Sequence, residues 1–203
     1  MIYERLFSVL LSIAFTAYVC AQEEVKPLLI ERTLPLVTAP KFIEPLDKTF
    51  KAVKGNWPLK DGMITPIDIP EQDHLPVLHH LVGLHSAIIT LEFRWDGNGT
   101  LLVGNDAKTH VGRVNITAKN IRIAESSGSP SKTVAELDTP VEPDVWHKLR
   151  VEWTGDRMAA NLDGKELKAQ HTHFATPKSR SWLGGRNVNV RNLTISGEAT
   201  TSP

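Results

Sequence analysis

Apolar and polar side chains alternate with a period of two along most of this chain, and the clearest stretch is Trp146 to Leu167. Such alternation predicts half-buried β-strands, whose successive side chains point to opposite faces. Turn signals at Thr154 to Arg157 and at Asp163-Gly164, which suits a two-residue type I′ hairpin, divide the stretch into three strands. The first strand has an apolar face of His147, Leu149, Val151 and Trp153 and a polar face of Lys148, Arg150 and Glu152.

The same pattern continues from residue 49 to the C-terminal region. The most regular long strand is predicted at Ile88 to Trp95, and the glycines of Asp96 to Gly99 predict a turn at its end. Pro76 to Ser86 also fits a helical face, but Gly83 and its short length argue against a helix. Arg191-Asn192 marks a change of phase that a β-bulge would explain. Further strands are predicted at 50–53, 62–65, 101–103, 110–118, 120–124 and 133–137.

These elements predict an all-β fold, a two-sheet antiparallel jelly-roll sandwich over residues 49–197.

The N-terminus adds an apolar run after Glu4-Arg5 that is typical of a signal peptide, with cleavage after Ala21. Residues 22–48 contain four prolines without a clear period and are predicted as an extended linker, part of which packs on the domain. Residues 198–203 are predicted as a polar tail. The apolar run is too short for a transmembrane anchor, and lipoprotein acylation at Cys20 is the weaker alternative.

Composition narrows the possible partners. Lys+Arg and Asp+Glu each total 23, so no strong basic field favours nucleic acid. Cys20 is the only cysteine, and its removal with the signal peptide would leave no disulfide, thiolate nucleophile or cysteine metal ligand. The chain is therefore predicted to be secreted or periplasmic, without a cofactor and without nucleic acid as a partner.

Several short pieces follow one another in order between residues 50 and 196. They are Trp57 with Asp61-Gly62, Leu91-Glu92-Phe93-Arg94, Trp146-His147-Lys148-Leu149, Leu162-Asp163-Gly164 and Val190 to Ile195. The ordered set resembles the concanavalin A-like jelly-roll domains of bacterial secreted proteins, and among them the 3-keto-disaccharide hydrolase domain family. This resemblance implies a secreted β-sandwich that binds or hydrolyses a glycoside.

Two polar elements of that family are different in this chain. The family has an Asn-Ser-Gly element and a further arginine at the place where this chain has Asn98 to Val103. It has a Gly-Leu-Gln-x-His element at the place where this chain has Ser181 to Arg186. If those elements form the sugar-processing site, the chain is either a divergent enzyme or a domain that has kept the scaffold and lost the chemistry.

The enzyme hypothesis assigns Glu92, Arg94 and the pair His171 and His173 to a divergent catalytic site. Glu92 and Arg94 share the polar face of a strand, where they can act as an acid and its electrostatic partner, or form a solvated cross-strand ion pair. Glycoside hydrolysis needs a second carboxylate about 5 to 9 Å away, for which Glu152 and Asp96 are the nearest candidates. The two histidines, on one face of a predicted strand, would chelate zinc only with a third ligand such as His110 or His147, and we expect no metal.

The binding hypothesis depends on Trp182, Arg186 and Arg113. Trp182 lies among Ser181, Gly184 and Gly185 in a predicted loop, where an exposed ring can stack on a pyranose. Arg186 and Arg113 would donate hydrogen bonds to sugar hydroxyls. The sequence thus favours a carbohydrate-binding sandwich, with a 3-keto-glycoside hydrolase and a cell-envelope structural module without a small ligand as the alternatives.

Overall fold

The computed structural model describes residues 27–200, so the predicted signal peptide and Cys20 lie outside the described residues. Within this range the chain forms thirteen strands and two short 3₁₀ helices, at Pro70–Gln72 and Thr172–Ala175. No helix in this part of the chain is long and apolar enough to cross a membrane. The strands are β1 Leu36–Thr38, β2 Phe50–Lys54, β3 Leu59–Lys60, β4 Met63–Ile64, β5 Val77–His80, β6 Leu84–Asp106, β7 His110–Thr117, β8 Asn120–Glu125, β9 Lys132–Asp138, β10 His147–Thr154, β11 Arg157–Leu162, β12 Lys165–Gln170 and β13 Arg180–Ala199.

Two long antiparallel strands, β6 and β13, pass through both sheets of the sandwich. Their segments 84–95 and 188–199 pair in the first sheet, which has the order β12-β11-β10-β6-β13-β4-β3 with β1 also on β13. Their other segments, 100–106 and 180–186, pair in the second sheet, which has the order β9-β8-β7-β6-β13-β5-β2. The fold is the predicted all-β antiparallel sandwich.

The core lies between the two sheets and has the phase that the sequence predicts. Its members include Leu91, Phe93 and Trp153 from the first sheet and Val103 and Ile123 from the second sheet. A buried aliphatic or aromatic side chain stabilises the fold by roughly 1.5 to 3 kcal/mol, so these alternating positions dominate its stability.

The predicted hairpins after β10 and β11 are confirmed. Trp153 pairs with Met158 across the first turn, where Gly155 has a φ of +54°. In the second turn Asp163 and Gly164 both have positive φ, 50° and 87°, as a type I′ turn requires. His147 is buried as predicted, with Nδ1 2.6 Å from a carboxylate oxygen of Asp163.

The predicted turn at 96–99 is wrong, because the backbone stays extended through this stretch and β6 continues to Asp106. Gly99 lies against the side chain of Trp95, where a Cβ atom would be only 2.6 Å from that of the tryptophan. The glycine therefore makes room for a core indole where β6 passes between the sheets. Pro76 to Ser86 contains no helix, and the predicted bulge at Arg191-Asn192 is present as a register shift with Asn192 at a φ of 52°.

Residues 27–46, here called the N-terminal segment, pack on the sandwich. Leu28 and Ile30 are buried, and Phe42 belongs to the main core. The backbone N–H groups of Leu28, Leu29 and Ile30 donate hydrogen bonds to the carboxylate of Glu152. These contacts, together with β1, attach the segment predicted as a linker to the first sheet.

Candidate ligand-binding site

One row of side chains crosses the outer face of the second sheet. Pairing places Lys51 on β2 opposite His79 on β5, His79 opposite Trp182 on β13, Trp182 opposite Gly104 on β6, and Gly104 opposite Arg113 on β7. Directly opposite residues of antiparallel strands point to the same face. We call these five residues the Trp182 row. It spans four strand spacings, about 19 Å.

Trp182 lies flat on the sheet and is not an exposed loop residue. A Cβ atom at Gly104 would be 2.3 Å from the indole, so the ring occupies the space above this glycine. Only 4% of Trp182 is accessible. The prediction of an exposed stacking platform is therefore wrong, because the nearby glycines create room for the ring on a strand and do not form a loop.

Asp106, at the end of β6, forms hydrogen bonds with the Trp182 ring and with two side chains beside it. Its Oδ1 accepts hydrogen bonds from Trp182 Nε1–H at 2.7 Å and from His110 Nδ1 at 2.7 Å. Its Oδ2 accepts one from Arg180 Nε–H at 3.2 Å, and the Nε2 atom of His79 lies 4.0 Å from the same oxygen. A buried carboxylate with donors on both oxygens holds its neighbours in fixed orientations.

The charge state of this cluster follows from its contacts. Burial raises the pKa of Asp106, but hydrogen bonds from His110, Arg180 and Trp182 lower it further than burial raises it, so the net shift is downward. Burial, followed by the positive charge of Arg180, lowers the pKa of His79. At neutral pH Asp106 is therefore a carboxylate and His79 is uncharged.

The cluster presents polar atoms to solvent as well as to Asp106. The side chain of His110 is 51% accessible and packs beside the indole with ring centroids 5.3 Å apart. Since an ionised carboxylate only accepts hydrogen bonds, His110 carries its proton on Nδ1, and in the neutral ring Nε2 is a free acceptor. Arg180 is 31% accessible, and Arg113 is half-buried at the end of the row.

The structure does not bring the four predicted catalytic residues together. Glu92 lies on the outer face of the first sheet, where its carboxylate accepts a hydrogen bond from Arg191 Nε–H at 2.7 Å. Arg94 lies over the ring of Trp146 at 5.1 Å, and Arg191 lies over the same ring at 3.8 Å. The cross-strand ion pair, which was the alternative for Glu92, is the observed arrangement.

His171 and His173 are not on one face of a strand, because β12 ends at Gln170 and a 3₁₀ helix follows. His171 Nδ1 accepts a hydrogen bond from the His173 backbone N–H at 3.2 Å, which caps this helix, and His173 Nε2 lies 3.4 Å from the carbonyl oxygen of His110. Both contacts fix the turn at one end of the sandwich. Among residues 27–200, no group of three or more His, Cys, Asp or Glu side chains is arranged to hold a metal ion.

The remaining candidates also have defined partners. Arg186 is exposed on β13 and forms a two-bond ion pair with Asp68, at 2.6 and 3.1 Å, so it is not part of the Asp106 cluster. Glu152, considered as a second carboxylate for Glu92, is fully buried under the N-terminal segment and accepts a hydrogen bond from Arg150 at 2.6 Å. Glu152 lies four positions along β10 from Lys148, the residue opposite Glu92 on the neighbouring strand, which corresponds to about 13 Å.

No protein-family model matches the chain, and no curated protein sequence matches it. Solved structures do match in fold. A β-glucanase of Bacillus licheniformis aligns with a TM-score of 0.62 at 9% identity, covering 82% of this chain and all of the glucanase. The exoplasmic/lumenal domain of VIP36, in a form bound to Ca²⁺ and Man3GlcNAc, gives 0.58 at 10% identity over 76% of this chain and 86% of that domain. The carbohydrate-binding module CBM66 from Bacillus subtilis gives 0.53 at 16% identity over 75% and 94%.

The fold is a concanavalin A-like jelly roll. At these identities the likeness establishes the architecture alone, so the site must be argued from this chain's own side chains.

The sequence did not identify Asp106, whose carboxylate holds Trp182, His110 and Arg180 together. Asp106 reads as the start of a turn, and Arg180 as an ordinary charged residue before a strand. One usable signal exists, since Asp106 and His110 flank a short turn between two predicted strands, and the hairpin places them in register. Arg113, predicted as a sugar-binding donor, does lie on the same face as Trp182.

Proposed function

We propose that this chain is a secreted or periplasmic carbohydrate-binding module whose ligand lies on the outer face of the second sheet, over the Trp182 row. The observation that carries the proposal is the Asp106 cluster, in which one buried carboxylate fixes an indole, an imidazole and a guanidinium side by side. Polar groups held in fixed orientations are typical of sites for polyhydroxylated ligands. Asp106 is the positioning residue, and His110 and Arg180 contact the ligand.

Two of the structures that share this fold support sugar as the ligand class. CBM66 is a carbohydrate-binding module, and the VIP36 domain was obtained with Man3GlcNAc. The signal-like N-terminus supports export, and it agrees with the resemblance to secreted jelly-roll domains.

A glycan array that includes neutral, carboxylated and sulfated saccharides tests the proposal. We expect retention on at least one class, and a loss of affinity of about tenfold or more in His110→Gln and in Arg180→Gln, since each removes a polar contact worth at least ~1.4 kcal/mol. His85→Gln is the matched control, because His85 is an exposed histidine at the other end of β6. Absence of retention on every saccharide would favour the cell-envelope structural module, and retention unchanged in both variants would move the site elsewhere.

A 3-keto-glycoside hydrolase is the second candidate, and one observation favours it. Asp106 accepts the Nδ1 proton of His110 at 2.7 Å, which orients Nε2 towards solvent as a general base would require. Glu92, Arg94, His171 and His173 do not contribute to this candidate, because they lie outside the cluster. Incubation with a 3-keto-glycoside should then show hydrolysis that falls by about a hundredfold or more in His110→Gln. The hydrolase candidate fails if the rate is the same without the protein.

A further inference from the structure

Arg113 is the one cationic side chain of the Trp182 row that is half-buried and has no counter-ion among the described side chains. Burial lowers the pKa of its guanidinium, and no neighbouring carboxylate offsets this effect. Arg122, on the neighbouring strand β8, differs because Glu136 accepts its Nε–H at 2.9 Å. A partly desolvated guanidinium without an anion is energetically costly, so Arg113 gains when a ligand supplies the anion.

Other charged side chains on and beside the Trp182 row are also cations. Lys51 is exposed at the far end of the row, and Arg180 lies beside its centre. Within residues 27–200, Asp106 is the only carboxylate paired with His79, His110 and Arg180. Both of its oxygens already accept hydrogen bonds. Among the described residues, the Trp182 row and the side chains around Asp106 therefore offer donors and positive charge, and they suit an acceptor-rich anion.

Building on the proposed function, the geometry points to a saccharide that carries carboxylates, an oligouronide, as the ligand of the Trp182 row, with Arg113 as the residue that selects it. A guanidinium binds a carboxylate through two parallel hydrogen bonds, which gives orientation as well as affinity. The row extends about 19 Å between Lys51 and Arg113, which fits an oligosaccharide lying across the strands better than a single ring. His110 and Arg180 then contact sugar hydroxyls beside the carboxylate.

Calorimetric titration of the full mature chain with an oligogalacturonate, and with the same oligosaccharide after methyl esterification, tests this inference. The acid form should bind at least about tenfold tighter than the ester at low salt, and the difference should shrink as salt screens the charges. Arg113→Gln should weaken binding of the acid form about tenfold and leave the ester unchanged. Arg122→Gln, the matched control with a satisfied guanidinium, should change neither.

Equal affinity for the acid and the ester, or an unchanged acid affinity in Arg113→Gln, overturns the inference. Retention of neutral saccharides that depends on His110 and Arg180 overturns it as well, but leaves the proposed function intact. Retention of sulfated saccharides alone overturns the choice of a carboxylate. Absence of retention on any saccharide overturns the proposed function, and the inference with it.

Discussion

The outer faces of the two sheets each carry a buried carboxylate, Glu152 on the first sheet and Asp106 on the second, but the two carboxylates have different kinds of partner. On the first sheet Glu152 is enclosed by Arg150 and the N-terminal segment, and Glu92 is paired with Arg191. On the second sheet Asp106 accepts hydrogen bonds from His110, Arg180 and Trp182, and Glu136 pairs with Arg122. The carboxylates Glu152 and Glu92 of the first face are thus satisfied within the protein, whereas the second face holds a half-buried arginine, Arg113, without a carboxylate partner among the described side chains.

This difference indicates where a ligand belongs. A ligand over Glu152 would have to displace the N-terminal segment, which would expose Leu28 and Ile30 and break three hydrogen bonds to Glu152. We therefore expect an anionic ligand to bind the second face, where it would supply the counter-ion that Arg113 lacks among the described side chains.

The largest expected effect comes from removing the carboxylate that holds the N-terminal segment. Glu152→Ala leaves Arg150 and three backbone donors without their partner in a buried position, so we expect a loss of about 3 to 5 kcal/mol in the free energy of unfolding. Urea denaturation measures the loss, and limited proteolysis should cut residues 27–46 first.

The control for this variant is Glu166→Ala, which removes an exposed carboxylate of β12 that pairs with Lys168 at 3.2 Å. We expect a change below about 0.5 kcal/mol there. If Glu152→Ala is no less stable than this control, the first face is not closed by its N-terminal segment and the contrast between the faces disappears.

The next prediction concerns the second face. Gly104→Ala puts a Cβ atom where the Trp182 ring lies, at 2.3 Å, and should cost about 1 to 3 kcal/mol of unfolding free energy as the indole is displaced. Near-UV circular dichroism should report the altered environment of the indole. Gly128→Ala is the control, since a Cβ atom at Gly128 meets nothing within 4 Å. Equal stability of both variants would mean that the ring does not depend on the glycine.

Periodicity along the sequence was enough to predict the architecture. The alternation in Trp146 to Leu167, with glycine in both turns, specifies β10 to β12 because strand phase and turn chemistry are local properties. The burial of Glu152 was not predictable in this way. Its partners Leu28 to Ile30 are 122 to 124 residues away in sequence, and a polar residue on an outward phase reads as solvated.

The contacts of the candidate site could not be predicted from the sequence for the same reason. Trp182 precedes Gly184 and Gly185 in its own strand and was predicted in a loop, but its placement depends on Gly104 in the adjacent strand. Asp106 gains its role from Arg180 and Trp182, which are 74 and 76 residues distant. Pairing between remote strands decides these contacts, and period-two alternation carries no information about which strands are neighbours.

A smaller effect is expected from Asp106→Asn, because the amide keeps the shape and one acceptor. We expect a loss of about 1 to 2 kcal/mol at pH 7. The lowered pKa of Asp106 contributes stability that is present above its ordinary value of 3.8 and is lost as pH falls from there through the folded-state pKa. The stability difference between wild type and variant should therefore shrink in urea unfolding below about pH 3.8. A difference that stays constant down to pH 2.5 would contradict this assignment.

The smallest expected effect is at the ion pair of the first face. Glu92→Gln removes one charge from a partly exposed pair, and exposed pairs contribute about 0 to 1 kcal/mol because solvent screens them and ordering the side chains costs entropy. Arg191 keeps its contact with the Trp146 ring, so the guanidinium remains supported in the variant. A double-mutant cycle of Glu92→Gln with Arg191→Met, followed by urea denaturation, isolates the pair from these other contacts. A coupling energy above about 2 kcal/mol would show that the pair is stronger than a solvent-screened one. A loss of saccharide binding in Glu92→Gln would show that the first face takes part in function and would remove the distinction between the two faces.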